Sequence, residues 1–132
     1  MKILYMFFLV ILSSAFANAQ DPIEQNAGFI KAGEIQRLAK TFAPTVELSI
    51  PGSDDSYPAA KAAELLEVFF KQNQPRSVKI IHRITSNSNY RFAVLLVSTS
   101  NGNYRMSFNL KNKGGHFELN DLHIEPERRN SP

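Results

Sequence analysis

Between Ala62 and Phe70 the apolar residues fall at i, i+3, i+4, i+7 and i+8, through Leu65, Leu66 and Phe69. This spacing predicts a helix over Pro58 to Gln72 (PAAKAAELLEVFFKQ), ended by Pro75. Two shorter helical patterns precede it. Ile23, Ala27 and Ile30 mark a helix over Ile23 to Gly33, with Asp21 as its cap and Pro22 in its first turn. After the break at Gly33, Ile35, Leu38, Ala39 and Phe42 share one face of Glu34 to Phe42, and Pro44 stops that segment. Thr45 to Ile50 then alternates as a strand, with Val46, Leu48 and Ile50 on one side, and Pro51 to Ser56 reads as a turn-rich loop.

Downstream of Pro75 the period changes to two. Ser77 to Thr85, Tyr90 to Thr99, Tyr104 to Leu110 and His116 to Ile124 predict four strands. The turns between them are Ser86 to Asn89, Ser100 to Asn103 and Asn112 to Gly115, the last two carrying Asn-Gly and Gly-Gly hairpin signals. In the last strand the apolar set shifts phase, from Phe117 and Leu119 to Leu122 and Ile124. One β-bulge near Asn120-Asp121 reconciles the two halves. Residues 126–132 (PERRNSP) read as a flexible tail.

The N-terminus follows a different logic. Lys2, the apolar run Ile3 to Leu12 and the small residues ending Ala17-Asn18-Ala19 make a secretory signal peptide over residues 1–19. The apolar run falls short of the roughly 20 residues a spanning helix needs, so cleavage before Gln20 and no retained membrane span are expected. A lipid anchor is not expected either, because the junction has no cysteine. The implied address is periplasmic or extracellular. Processing leaves 113 of the 132 residues, enough for one domain at 20–125. With no cysteine anywhere, disulfide staples, thiolate metal sites and thiol nucleophiles are excluded, and stability rests on packing. The charge is +3, or +2 once Lys2 is removed, and acids alternate with the bases, so no nucleic-acid-binding stripe forms.

Helices followed by a meander give an α+β layout with three N-terminal helices packed on a curved, mostly antiparallel sheet. The signal peptide, the early IKAGEIQRLAKTFAPTVELSIPG, the helix end LLEVFFKQNQP, the strand VKIIH and the segment TSNGNYRMSFNLK follow in an order that resembles the DUF4783 family. This is a family of small secreted Bacteroidota proteins within the cystatin-like, nuclear transport factor 2-like superfamily. The resemblance spans essentially the whole processed chain. It implies a cone whose interior, in relatives, binds or transforms small apolar ligands, and it assigns no function of its own. It also implies an outer sheet face that serves dimerisation.

Candidate chemistry is sparse. His82 alternates with Val78, Ile80 and Ile84, which places it on their apolar face as a candidate general base, or as a core-edge histidine bonded to backbone. Asp121 and His123 share a parity and form either a pair or a solvated polar edge, while His116 lies in a turn. The three histidines lack ligand spacing, so no metal is expected, and no nucleotide or hydrolase fingerprint implies a cofactor. Tyr57, Phe69, Phe92 and Phe108 join His82 as candidate ligand-binding residues, packing being the alternative for the aromatics. Arg83, Arg91 and Arg105 are expected to form a basic band on the outer face. The expectation is an exported, non-catalytic domain that binds a small apolar ligand or a protein partner, with a homodimer through the sheet face. The alternative is an isomerase or hydrolase acting through His82 on a small hydrophobic substrate.

Overall fold

The computed structural model describes residues 21–127; the segment read as a signal peptide and residues 128–132 of the expected tail lie outside the described residues. Helix α1 (Pro22–Ala32) starts as its cap requires: the Asp21 carboxylate accepts from the Ile23 amide at 2.9 Å, and Gly33 ends it in the left-handed conformation at φ 70°. Helix α2 (Ile35–Ala39) is a single short turn and a half, and the chain extends at once into β1 (Phe42–Ile50). Phe42 therefore belongs to a strand, not to the second helix. Pro44 sits inside that strand, where the β1–β6 register breaks between Phe42 and Glu47, so its missing N–H costs no ladder bond there.

The segment expected to be a loop is partly a strand. Pro51-Gly52 is a two-residue turn with Gly52 at φ 89°, and β2 (Ser53–Pro58) runs back antiparallel to β1. Helix α3 (Ala59–Gln72) follows, then β3 (Pro75–Asn87), β4 (Tyr90–Thr99), β5 (Gly102–Lys113) and β6 (His116–Pro126). The six strands form one sheet in the order β2-β1-β6-β5-β4-β3, antiparallel except where β1 runs parallel to β6. The expected bulge is present: Asn109 pairs with Asp121 and Leu110 with Leu119, leaving Asn120 as the extra residue. Pro126 closes β6 instead of opening a tail.

All three helices cover one face of the sheet, α1 over β3 and β4, α3 over β1 and β2. Between the layers Ile23, Ile30, Leu38 and Leu66 meet Leu95, Met106, Phe108, Leu110, Leu119 and Leu122, each at most 1% exposed. Burying a side chain of this size contributes roughly 1.5–3 kcal/mol. The interior is therefore a packed core made by the inward phase of every strand.

Candidate functional site

The cross-strand register decides which residues share a surface, because directly opposed residues project to the same side. On β4, Ala93, Leu95 and Val97 point into the core and Phe92, Val94 and Leu96 point away from it. On β3 the phase changes midway. Val78 and Ile80 oppose Val97 and Leu95 on the core side, but His82 opposes Val94 because Ile81 is an extra residue at a bulge. His82 and Ile84 thus stand on the outer face, and His82 is exposed. The expectation that His82 shares the apolar inner face is corrected by that one inserted residue.

The bulge also moves Arg83 inward. It opposes Ala93 and reaches α1, donating to Asp21 Oδ2 at 3.2 Å and Glu24 Oε1 at 2.7 Å. Arg91 opposes the buried Leu110 and lies over the Phe117 ring, 5.0 Å from its centroid. Only Arg105 of the expected basic band is on the outer face, so the band does not form.

The five candidate ligand-binding residues do not meet in one pocket. Phe69 and Phe108 are 8% and 1% exposed within the core, and Phe69 packs edge-on against Tyr104 at 5.1 Å. Tyr57 stands on β2 opposite Val46, half-buried, with its hydroxyl bonded to Ser53. Phe92 and His82 lie on the other side of the sheet. Among the described residues one groove of about 570 Å³ runs between α2 and α3, floored by Ala39, Ala59, Ala60 and Ala63.

The outer face is instead ordered in rows. One row reads Lys79, Leu96, Arg105, Glu125 from β3 to β6; the next reads His82, Val94, Ser107, His123, Ser49, Asp54 and ends on β2. The third reads Ile84, Phe92, Asn109, Asp121, Glu47, Ser56. The β4 column of the face is apolar, with Tyr90 38% exposed beside half-buried Phe92 and Leu96, and Ile84, 43% exposed, adjoins it on β3, where Lys79 and His82 are also outward. The β6–β1–β2 half is polar and acidic. Burial pushes the Asp121 carboxyl above its ordinary range; Glu47 adds to this, His123 opposes it and Asp54 contributes a little more. His123 itself contacts Glu125 at 3.5 Å, so Asp121 and His123 share a face without forming an exclusive pair. His116 is exposed beside the Gly114-Gly115 turn, 4.0 Å from Glu118. Among the described residues no cluster of three or more His, Asp or Glu is arranged to hold a metal, and no helix is long and apolar enough to cross a membrane.

The signal for this face was in the sequence. FAVLLV in β4 is apolar on both parities, the pattern of a strand covered on both sides.

Residues 23–125 match the profile of a family described as a domain of unknown function (DUF4783). No functionally curated protein matches the chain. A DUF4783 family protein from Bacteroides uniformis superposes with a TM-score of 0.77 at 20% identity, covering 83% of this chain and 100% of that one. A domain of unknown function with a cystatin-like fold from Nostoc punctiforme gives 0.63 at 11% identity, over 81% of this chain and 74% of that one. A structure from Thiobacillus denitrificans, described as a calcium/calmodulin-dependent protein kinase type II association domain, gives 0.61 at 11% identity over 76% and 88% of the two chains. At these identities the likeness shows the cystatin-like, nuclear transport factor 2-like fold.

Proposed function

The chain belongs to the DUF4783 family, and from the contrast between its packed interior and its apolar outer sheet face we propose that it is an exported, non-catalytic association module that pairs with a second copy of itself through that face. The observation that carries this reading is the apolar column Tyr90, Phe92 and Leu96 on the side of β4 that no helix covers, with Ile84 beside it on β3 and Val94, already 4% exposed, between Phe92 and Leu96. Apolar surface of this kind gains free energy when covered, about 25 cal/mol per Å². A small-ligand role would need an open cone, and Leu66, Phe108 and Leu110 occupy that space, each at most 1% exposed. An acid–base role for His82 would need a partner and a dry pocket, whereas it stands exposed on the outer face.

Edge pairing is a poorer route to a dimer than face pairing. The edge strand β3 carries three register irregularities and the charges Arg76, Lys79 and Arg83, which keep a second chain from extending the ladder. The pattern Lys2 to Ala19 supports export, so the pair would form outside the cytoplasm. A fold neighbour described as an association domain is in keeping with this use of the fold.

Light scattering on the exported, processed chain tests the reading. The wild type is expected at twice the chain mass, and Ile84→Lys at the single-chain mass with an unchanged circular dichroism spectrum. A wild type that stays monomeric on concentration, or an Ile84→Lys variant that still pairs as tightly, overturns it.

A further inference from the structure

The chain holds one Asn-Gly pair, Asn101-Gly102, and the fold sets it at the tip of the β4–β5 hairpin. Ser100, Asn101 and Gly102 are all exposed there. Gly102 takes φ 117°, with nothing within 4 Å of the place where a side chain on it would stand. An asparagine amide followed by so unhindered a backbone nitrogen is open to attack from within the chain, the chemistry that makes asparagine labile.

The same turn holds the junction between α3 and β3. Asn101 Nδ2 donates to the Gln72 carbonyl at 2.6 Å, the Ser100 amide donates to the Gln74 carbonyl at 3.0 Å, and the Gln74 amide donates to Ser100 Oγ at 3.2 Å. Gln72 is the last residue of α3, so the first of these bonds satisfies a carbonyl at the negative end of the helix dipole. One turn back, Phe69 packs edge-on against Phe70 and Tyr104, each 5.1 Å away. The 2.6 Å bond is exposed to solvent and holds the leaving nitrogen, not the carbon that is attacked, so local opening frees the amide without unfolding the domain.

We propose that Asn101 is a site of spontaneous deamidation and that its product undoes the α3–β3 junction. The Gly102 nitrogen loses its proton and attacks the Asn101 side-chain carbonyl carbon. A C–N bond closes a cyclic imide, and the side-chain nitrogen takes up a proton and leaves as ammonia. Water then opens the imide at either carbonyl, giving aspartate or isoaspartate with no change of oxidation state. Both products put a carboxylate where the Nδ2 donor stood. It has no hydrogen to give to Gln72, and its negative charge meets the helix C-terminus, where the dipole disfavours an anion. Isoaspartate also adds a backbone carbon to the turn, which disturbs the two Ser100–Gln74 bonds.

Peptide mapping of the folded protein, aged at mildly alkaline pH, reads the site. Acid is expected at Asn101 ahead of Asn87 and Asn89, which lie in the equally exposed β3–β4 turn but precede Ser88 and Tyr90, whose side chains crowd the attacking nitrogen. Melting curves read the consequence. The aged species, separated by its added negative charge, and a fresh Asn101→Asp variant are both expected to melt about 4 °C below the fresh wild type. Asn101→Gln keeps an amide donor and closes the ring far more slowly, so it is expected to stay unmodified on the same schedule. Ageing that leaves Asn101 an amide, or that converts Asn87 or Asn89 first, overturns the site. An Asn101→Asp variant that melts with the wild type overturns its effect on α3.

Discussion

Burial disfavours the charge of the Asp121 carboxyl. It is set among Glu47 and Asp54, and only His123 opposes them. Because its folded value lies above its unfolded one, the native state holds the proton more tightly. Stability then falls as pH rises through the window between the two values, and the full penalty applies above it. Asp121→Asn keeps the shape and removes the charge. The expected result is a higher melting temperature at neutral pH, with the gain fading as pH drops through that window; a lower melting temperature at neutral pH would contradict the assignment. The periodicity of β6 revealed the shared parity of Asp121 and His123 and the bulge beside them. It could not reveal Ile81 as a bulge, because an inserted isoleucine in a run of isoleucines leaves no phase break to read. That single residue sends His82 outward and Arg83 inward, and with them the candidate base and the basic band.

The elements are tied together by a few polar clasps whose cost of removal differs with burial. At the C-terminus of α3, Asn73 is 8% exposed; its Nδ2 donates to the Phe69 carbonyl at 2.9 Å and its Oδ1 accepts from the Tyr104 hydroxyl at 3.1 Å. Asn101 on the β4–β5 turn adds a bond to the Gln72 carbonyl at 2.6 Å, pinning the helix end to the sheet. Asn73→Ala leaves the Tyr104 hydroxyl without its partner and removes one of the two bonds that residue 73 donates to the Phe69 carbonyl, so urea denaturation should show a loss of about 1–3 kcal/mol. The Arg83 bridges to α1 are exposed, and Arg83→Ala should cost about 1 kcal/mol or less. Equal losses from the two variants would contradict this ranking. Helices with a clean 3.6 period and strands with hairpin turns were legible from the spacing of apolar residues and the turn motifs. β2 was not: Ser53-Asp54-Asp55-Ser56 has turn chemistry, and it is a strand because β1 pairs with it along one edge.

At the scale of the whole molecule, a cone-shaped fold can be used from inside or from outside. Here the interior is spent on stability, since a cysteine-free domain has only its core to hold it. The outer sheet, apolar along β4 with Ile84 beside it and acidic on β6–β1–β2, stands uncovered by any helix, and its register emerges only from tertiary pairing. Hydroxyl-radical footprinting of the protein at rising concentration measures that use directly. Ile84, Tyr90 and Phe92 report on the outer face, and Val68, 53% exposed on α3, reports on the opposite side. The account predicts that labelling of the three outer-face residues falls as the protein is concentrated while Val68 is unchanged. Protection of Val68 instead, or no concentration dependence at Ile84, Tyr90 and Phe92, would contradict it.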